Sequence, residues 1–220
     1  MHIATKLLRG RSRWPTAFLA AAGRTVGVRV KVVGEPLRPH SLLISNHLSW
    51  LDILILGGAG SAFVSKDDLG HGLLHWLADQ NDTVYVRREH RKGVMGQTAA
   101  IAKALEGDKP VTLFPEGTTG PGTHLLPFRS TLLEAAAVAE KDVQVRPVVL
   151  DYGPAAPEIA WFEEGGMDNV KRVLGRNGSL SVKVHLLAPL PHSGNRKALA
   201  QAARDAIAET LASSPGATPL

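Results

Sequence analysis

Apolar positions along this chain follow two alternating rhythms. Short runs rich in Val, Ile, Leu and Thr at 26–33, 41–45, 61–65, 83–87, 110–114, 144–151 and 179–187 have the length and make-up of strands. Between many of them, apolar residues recur three and four apart and predict helices at 50–58, 67–78, 92–106, 131–140, 165–174 and 195–212. Such alternation predicts an α/β fold: a single domain with a mixed, largely parallel sheet flanked by helices. No internal repeat or linker interrupts it, so residues 25–212 are expected to form the domain. The Pro, Gly and Ser of 213–220 mark a flexible tail.

Two stretches carry more than structure. In Asn46-His47-Leu48-Ser49-Trp50-Leu51-Asp52, a histidine and a carboxylate lie five apart where a strand gives way to a helix. Residues five apart do not share one face of a straight helix. A turn suits them, with His47 before the helix and Asp52 in its first turn, able to reach back. A carboxylate so placed fixes the imidazole tautomer and stabilises the imidazolium that forms when the ring takes a proton. Ser49 and Asp52 also fit the Ser-x-x-Asp capping pattern. On this stretch alone, cap and dyad stand side by side.

The second stretch is Phe114-Pro115-Glu116-Gly117-Thr118, which follows the strand-like Val111-Thr112-Leu113. Turn chemistry accounts for the proline and glycine, but not for a glutamate between them with Thr118 and Thr119 behind it. Ligands of open α/β sheets bind at strand ends of this kind. His47 sits at another such end, so the two stretches are expected to converge on one crevice.

Other chemistries lose support. A Gly-x-Ser-x-Gly elbow, a Walker lysine loop and a dinucleotide glycine fingerprint are all missing from the sequence. His71 and His75 have helical metal-ligand spacing, but Gly72 stands where a zincin carries glutamate, and no third ligand is evident. With no cysteine among 220 residues, disulfides, thiolate metal sites and a cysteine nucleophile are excluded. A net charge of +5 and a pI near 9.7 call for an anionic partner. Few aromatics and no nucleic-acid fold signature argue against nucleic acid and for a membrane surface with anionic lipids. Lys6, Arg9, Arg11 and Arg13 precede Trp14 and the short apolar run 17–22. That run is too short to span a bilayer and leads directly into a strand, so residues 1–24 read as a basic helix lying on the interface. The expected location is peripheral, on the cytoplasmic side of the cell membrane.

Together, Asn46-His47-x-Ser49-x-x-Asp52 and Phe-Pro-Glu-Gly-Thr resemble the lysophosphatidic acid acyltransferase family of glycerolipid acyltransferases. Val84-Tyr85-Val86-Arg87-Arg88-Glu89 resembles the family's strand ending in an arginine, with Arg88 at the matching position. Val145-Arg146-Pro147-Val148 resembles its final apolar block. The likeness runs in family order over about residues 30–190. Thr119 stands where that family usually carries an arginine that helps hold the acceptor phosphate, Arg87 stands in place of an aspartate, and Ser130 in place of a glycine. The Phe-Pro-Glu-Gly-Thr-Thr and Pro-Phe-Arg-Ser forms look similar to the lyso-ornithine lipid acyltransferase branch.

The resemblance implies acyl transfer from acyl-CoA or acyl carrier protein to the free hydroxyl of a lysolipid, with no cofactor or metal. His47 would be the general base and Asp52 its orienting partner. Asn46, Ser49, Arg88, Glu116, Gly117, Thr118, Thr119 and Arg129 would serve the substrates. The first acceptor reading is 1-acyl-sn-glycerol-3-phosphate, giving phosphatidic acid, with lyso-ornithine lipid as the alternative. A catalytically silent lipid-binding protein of the same fold is the reading from another class.

Overall fold

The computed structural model describes residues 14–66, 84–86, 90–107, 109–139 and 142–214. Helix α1 (Trp14–Thr25) leads into β1 (Val28–Gly34), then β2 (Ser41–Ser45), α2 (Leu51–Gly58), β3 (Ala62–Lys66) and β4 (Val84–Val86). There follow α3 (His90–Leu105), β5 (Val111–Leu113), a 3₁₀ turn Ser130–Leu133 with α4 (Glu134–Ala137), and β6 (Gln144–Asp151). The chain closes with α5 (Ala156–Ile159), α6 (Gly166–Gly175), β7 (Leu180–Leu186) and α7 (Arg196–Ser213).

The strands form one seven-stranded sheet in the order β1-β7-β6-β2-β5-β3-β4. Every neighbouring pair is parallel except β6 and β7. Mixed, largely parallel and helix-flanked, the sheet matches the architecture the alternation predicts. Its central strands read as continuous apolar runs because helices cover both faces. On one face, Leu43, Leu51, Ile55, Val148, Leu150, Val182 and Val184 pack with Leu19 of α1. On the other, Leu42, Ile44, Ile101, Val111, Leu133 and Ala203 join α3, α4 and α7.

The expected helix at 131–140 is shorter than its pattern. A 3₁₀ turn carries Leu132 and Leu133 into the core, and only Glu134–Ala137 is α-helical. The three alanines Ala135, Ala136 and Ala137 are all buried, so this segment packs on several sides rather than presenting one amphipathic face. The expected helix at 67–78, with His71 and His75, lies outside the described residues, as do Arg87, Arg88 and the basic residues before Trp14.

Residues 14–24 are not separate from the domain. Helix α1 lies across α2, and a Cβ on Gly58 would stand 2.9 Å from the Ala20 backbone. Leu19 is buried while Trp14 and Phe18 are exposed. Among the described residues, no helix is long and apolar enough to cross a membrane. The crossing predicts that Gly58→Leu forces the two helices apart and costs about 1–3 kcal/mol. Thermal or urea unfolding would measure it, and an unchanged midpoint would refute the close crossing.

Candidate active site

The site grows from the end of β2. Asn46 is fully buried, and its amide clasps the backbone of β6 by accepting from Leu150 N at 2.8 Å and donating to Leu150 O at 3.0 Å. The next residue, His47, is thereby carried just beyond the C-terminal end of a central strand. Its ring stacks on Phe114, with centroids 4.0 Å apart and planes inclined by 16°. Phe63 stacks behind Phe114 at 6.0 Å.

Asp52 is completely buried in the first turn of α2. Its Oδ2 accepts from His47 Nδ1 at 2.8 Å, Leu48 N at 2.7 Å and Ser49 N at 3.0 Å. Oδ1 accepts from the Tyr152 hydroxyl at 2.5 Å. The two readings of this motif therefore describe one carboxylate: it closes the turn and holds the imidazole. Because Asp52 only accepts, Nδ1 must carry the proton, which leaves Nε2 as the basic nitrogen. The ring is 18% exposed, and Nε2 has no hydrogen-bond partner among the described residues. Ser49 contributes little as a cap, since its Oγ lies 3.4 Å from Leu51 N.

Glu116 joins the two motifs. It is buried, with Oε1 accepting from His47 N at 2.8 Å and Oε2 from Leu126 N at 3.0 Å. The carbonyl of His47 accepts from Gly120 N at 2.8 Å, so the histidine backbone is held at both ends by the loop after β5. Burial pushes the Glu116 carboxyl from its ordinary 4.5 up to about 7, outweighing the two N–H groups that favour its charged form. Gly117 has φ +74° and lies under the Arg129 side chain, which a Cβ there would meet at 3.2 Å. Arg129 and Thr118 are exposed. The Thr119 hydroxyl donates to the carbonyl of Trp161, whose own N–H donates to Leu48 O at 2.7 Å. Thus the polar side-chain atoms of Asn46, Glu116 and Thr119 are engaged by the protein's own backbone.

Beside His47 opens a cleft of about 690 Å³, including its solvent-filled mouth. Asn46, Glu116, Gly120, His124, Asp151, Tyr152 and Leu211 are among the residues lining it. Sequence reasoning did not identify Tyr152 or Asp151. The apolar block around Pro147 directs β6 toward β2, and only that pairing puts the two residues after Leu150 beside the His47 motif. Desolvation, reinforced by the Asp52 charge, holds the Tyr152 hydroxyl well above its ordinary value, so it remains a donor.

Residues 29–151 match the family model for the Acyltransferase family, and the chain belongs to that family. It is similar to the lyso-ornithine lipid O-acyltransferase of Brucella abortus, with 32% identity over 96% of this chain and 87% of that protein. Similarity to the 1-acyl-sn-glycerol-3-phosphate acyltransferase of Neisseria gonorrhoeae is 30% identity over 60% of this chain and 52% of that protein. The fold resembles the crystal structure of the 1-acyl-sn-glycerophosphate acyltransferase from Thermotoga maritima, with a TM-score of 0.64 and 20% identity over 92% of this chain and 80% of that one. The protein is an acyltransferase enzyme.

Two expectations follow from this geometry. Tyr152→Phe removes one of four donors to a buried carboxylate and should cost about 1.5–3 kcal/mol in urea unfolding. Equal stability in the two proteins would show that Asp52 does not need the hydroxyl. For Glu116, the folded protein retains a proton between the ordinary 4.5 and about 7 that the unfolded chain releases. Stability should therefore fall as pH rises across that window, by roughly 3 kcal/mol in all. Glu116→Gln should begin less stable at pH 5 yet show a flatter decline to pH 8; parallel curves would remove Glu116 as the titrating group.

Proposed function

We propose that this enzyme moves a fatty acyl group from a coenzyme A or carrier-protein thioester to the free hydroxyl of a lysolipid, with lyso-ornithine lipid as its first acceptor. The observation that carries the chemistry is the His47–Asp52 pair at the end of β2, with Nδ1 committed and Nε2 open. An alcohol is a weak nucleophile at neutral pH and needs a base in hydrogen-bond reach. In this reading Nε2 takes the proton as the hydroxyl oxygen attacks the thioester carbonyl. The tetrahedral intermediate then collapses and expels the thiolate, to which the imidazolium returns the proton. Asp52 stabilises the imidazolium without taking the proton. Glu116, Asn46 and Tyr152 act as positioning residues: two hold the His47 backbone and β2, and the third holds Asp52. Exposed Arg129, and Arg88 by its place in the sequence, are the cations proposed for substrate anions.

Two observations put lyso-ornithine lipid ahead of 1-acyl-sn-glycerol-3-phosphate, reversing the order drawn from sequence. The likeness to a lyso-ornithine lipid enzyme extends over nearly the whole chain, whereas that to the Neisseria enzyme covers 60% of it. Thr119 turns its hydroxyl to Trp161, and the described cleft lining includes Asp151 but no lysine or arginine. Ornithine carries an ammonium that tolerates such a lining better than a phosphate monoester does. The 1-acyl-sn-glycerol-3-phosphate reading keeps the support of the shorter match. For the membrane, the exposed Trp14 and Phe18 of α1, behind a basic N-terminal sequence, supply apolar and cationic contacts for peripheral attachment on the cytoplasmic side.

His47→Ala should lower kcat by ~10² to 10⁴ in a protein that still melts cooperatively; near-normal turnover by such a variant would sink the proposal. With purified parent enzyme, kcat/KM for lyso-ornithine lipid is expected to exceed that for 1-acyl-sn-glycerol-3-phosphate, and the opposite ranking restores the second reading. Trp14→Ala with Phe18→Ala should weaken sedimentation with anionic vesicles, and unchanged sedimentation would move the membrane contact elsewhere.

A further inference from the structure

Strands β1 and β7 bring a set of cations together on one face of the sheet. Their parallel register sets Lys31 beside Lys183 and Arg29 beside Ser181. Adjacent strands lie about 4.8 Å apart, and residues two apart point the same way. Val28, Leu180, Val182 and Val184 belong to the core shared with α1. Arg29, Lys31 and Lys183 therefore project from the opposite face, where α7 covers β6 but leaves β1 exposed. Arg29 and Lys31 make no ion pair with a described residue.

This strip adjoins the active-site cleft. Lys183 lies opposite Asp151 across the antiparallel β6–β7 pair, with Nζ 4.0 Å from Oδ2. His185 approaches the same oxygen at 3.6 Å, and Asp151 Oδ1 accepts from Gly153 N at 2.8 Å. Asp151 also lines the cleft that holds His47. A positive strip thus runs from the sheet edge to the border of the cavity where acyl transfer is placed.

We propose that Arg29, Lys31 and Lys183 bind the nucleotide phosphates of a coenzyme A thioester, the acyl donor, while its acyl end enters the cleft. The proposal rests on the acyl-transfer reading above and names the donor for it. Phosphate oxygens accept several charge-assisted hydrogen bonds; Arg29 and Lys31 complement them, with Lys183, shared with Asp151, at the cleft end of the strip. A lipid head group suits this face less well. Trp14 and Phe18 belong to α1, which packs on the other side of the sheet, so the strip faces away from a membrane that α1 touches. A water-soluble donor approaches from that side without leaving the solvent.

The test has a binding arm and a kinetic arm. Calorimetry with adenosine 3′,5′-bisphosphate should show binding to the parent enzyme that weakens as salt rises. Arg29→Gln with Lys31→Gln should raise its Kd about tenfold, as expected for losing two partly screened charge contacts, and Lys31→Gln alone by a smaller factor. In kinetics, the parent should use acyl-CoA better than the phosphate-free acyl-pantetheine, and the double variant should lose about tenfold of that preference through KM rather than kcat. No nucleotide binding by the parent, or a donor preference untouched in folded variants, overturns the proposal. A loss confined to acyl carrier protein as donor, or to vesicle binding, overturns it equally, by assigning the strip to a protein or to lipid. Because the binding arm needs no turnover, nucleotide binding without acyl transfer from any donor would reject the catalytic reading separately.

Discussion

A buried carboxylate needs its hydrogen-bonding capacity filled, and much of this site follows from how Asp52 is filled. Removing an ionised carboxylate from water is costly unless donors replace the lost solvent. Here four donors converge on it: the Leu48 and Ser49 amides, the Tyr152 hydroxyl and His47 Nδ1. The amides require the chain to turn sharply between β2 and α2, and the hydroxyl requires β6 to lie beside β2. The histidine is the one donor of the four with a second, exposed nitrogen. The same bonds that make burial of Asp52 tolerable commit His47 Nδ1 and leave Nε2 without a partner among the described residues.

Around that centre the backbone of His47 is fixed from a distant part of the chain. Glu116 receives its N–H and Gly120 donates to its carbonyl, while Phe114 stacks on the ring. An imidazole held at both backbone ends and along one ring face has little conformational freedom left. Glu116 is the more surprising member, because its oxygens serve two backbone amides and its burial raises its pKa to about 7. The family motif places a glutamate in the turn, and the tertiary contacts give it a structural task at the heart of the site.

The sequence made a good deal of this legible. Periodicity located β2, β6, β7, α2, α6 and α7 closely, since each has an unbroken pattern and a Gly, Pro or Asn near at least one of its ends. It overextended the helix near 131–140, where continuous burial of Leu132, Leu133 and three alanines replaces an amphipathic stripe. The spacing of His47 and Asp52 announced a carboxylate reaching back to an imidazole, and Phe-Pro-Glu-Gly-Thr announced a second site segment. Both signals are local, and local signals survive in a single sequence.

Other features had no local signal. Tyr152 follows an apolar strand and reads as core; only the pairing of β6 with β2 aims its hydroxyl at Asp52. Thr119 reads from the sequence as a head-group contact, and only the fold shows its hydroxyl donating to the Trp161 carbonyl. Arg29, Lys31 and Lys183 are scattered charges until β1 and β7 pair in register. By itself the sequence determined the fold class, the pairing of His47 with Asp52 and the family, because these depend on periodicity and on residues a few positions apart. The tertiary structure decided that Tyr152 completes the donors to Asp52, that Glu116 takes the His47 amide and which charges share a face, because those contacts join residues far apart in the chain and exist only once the sheet has its strand order.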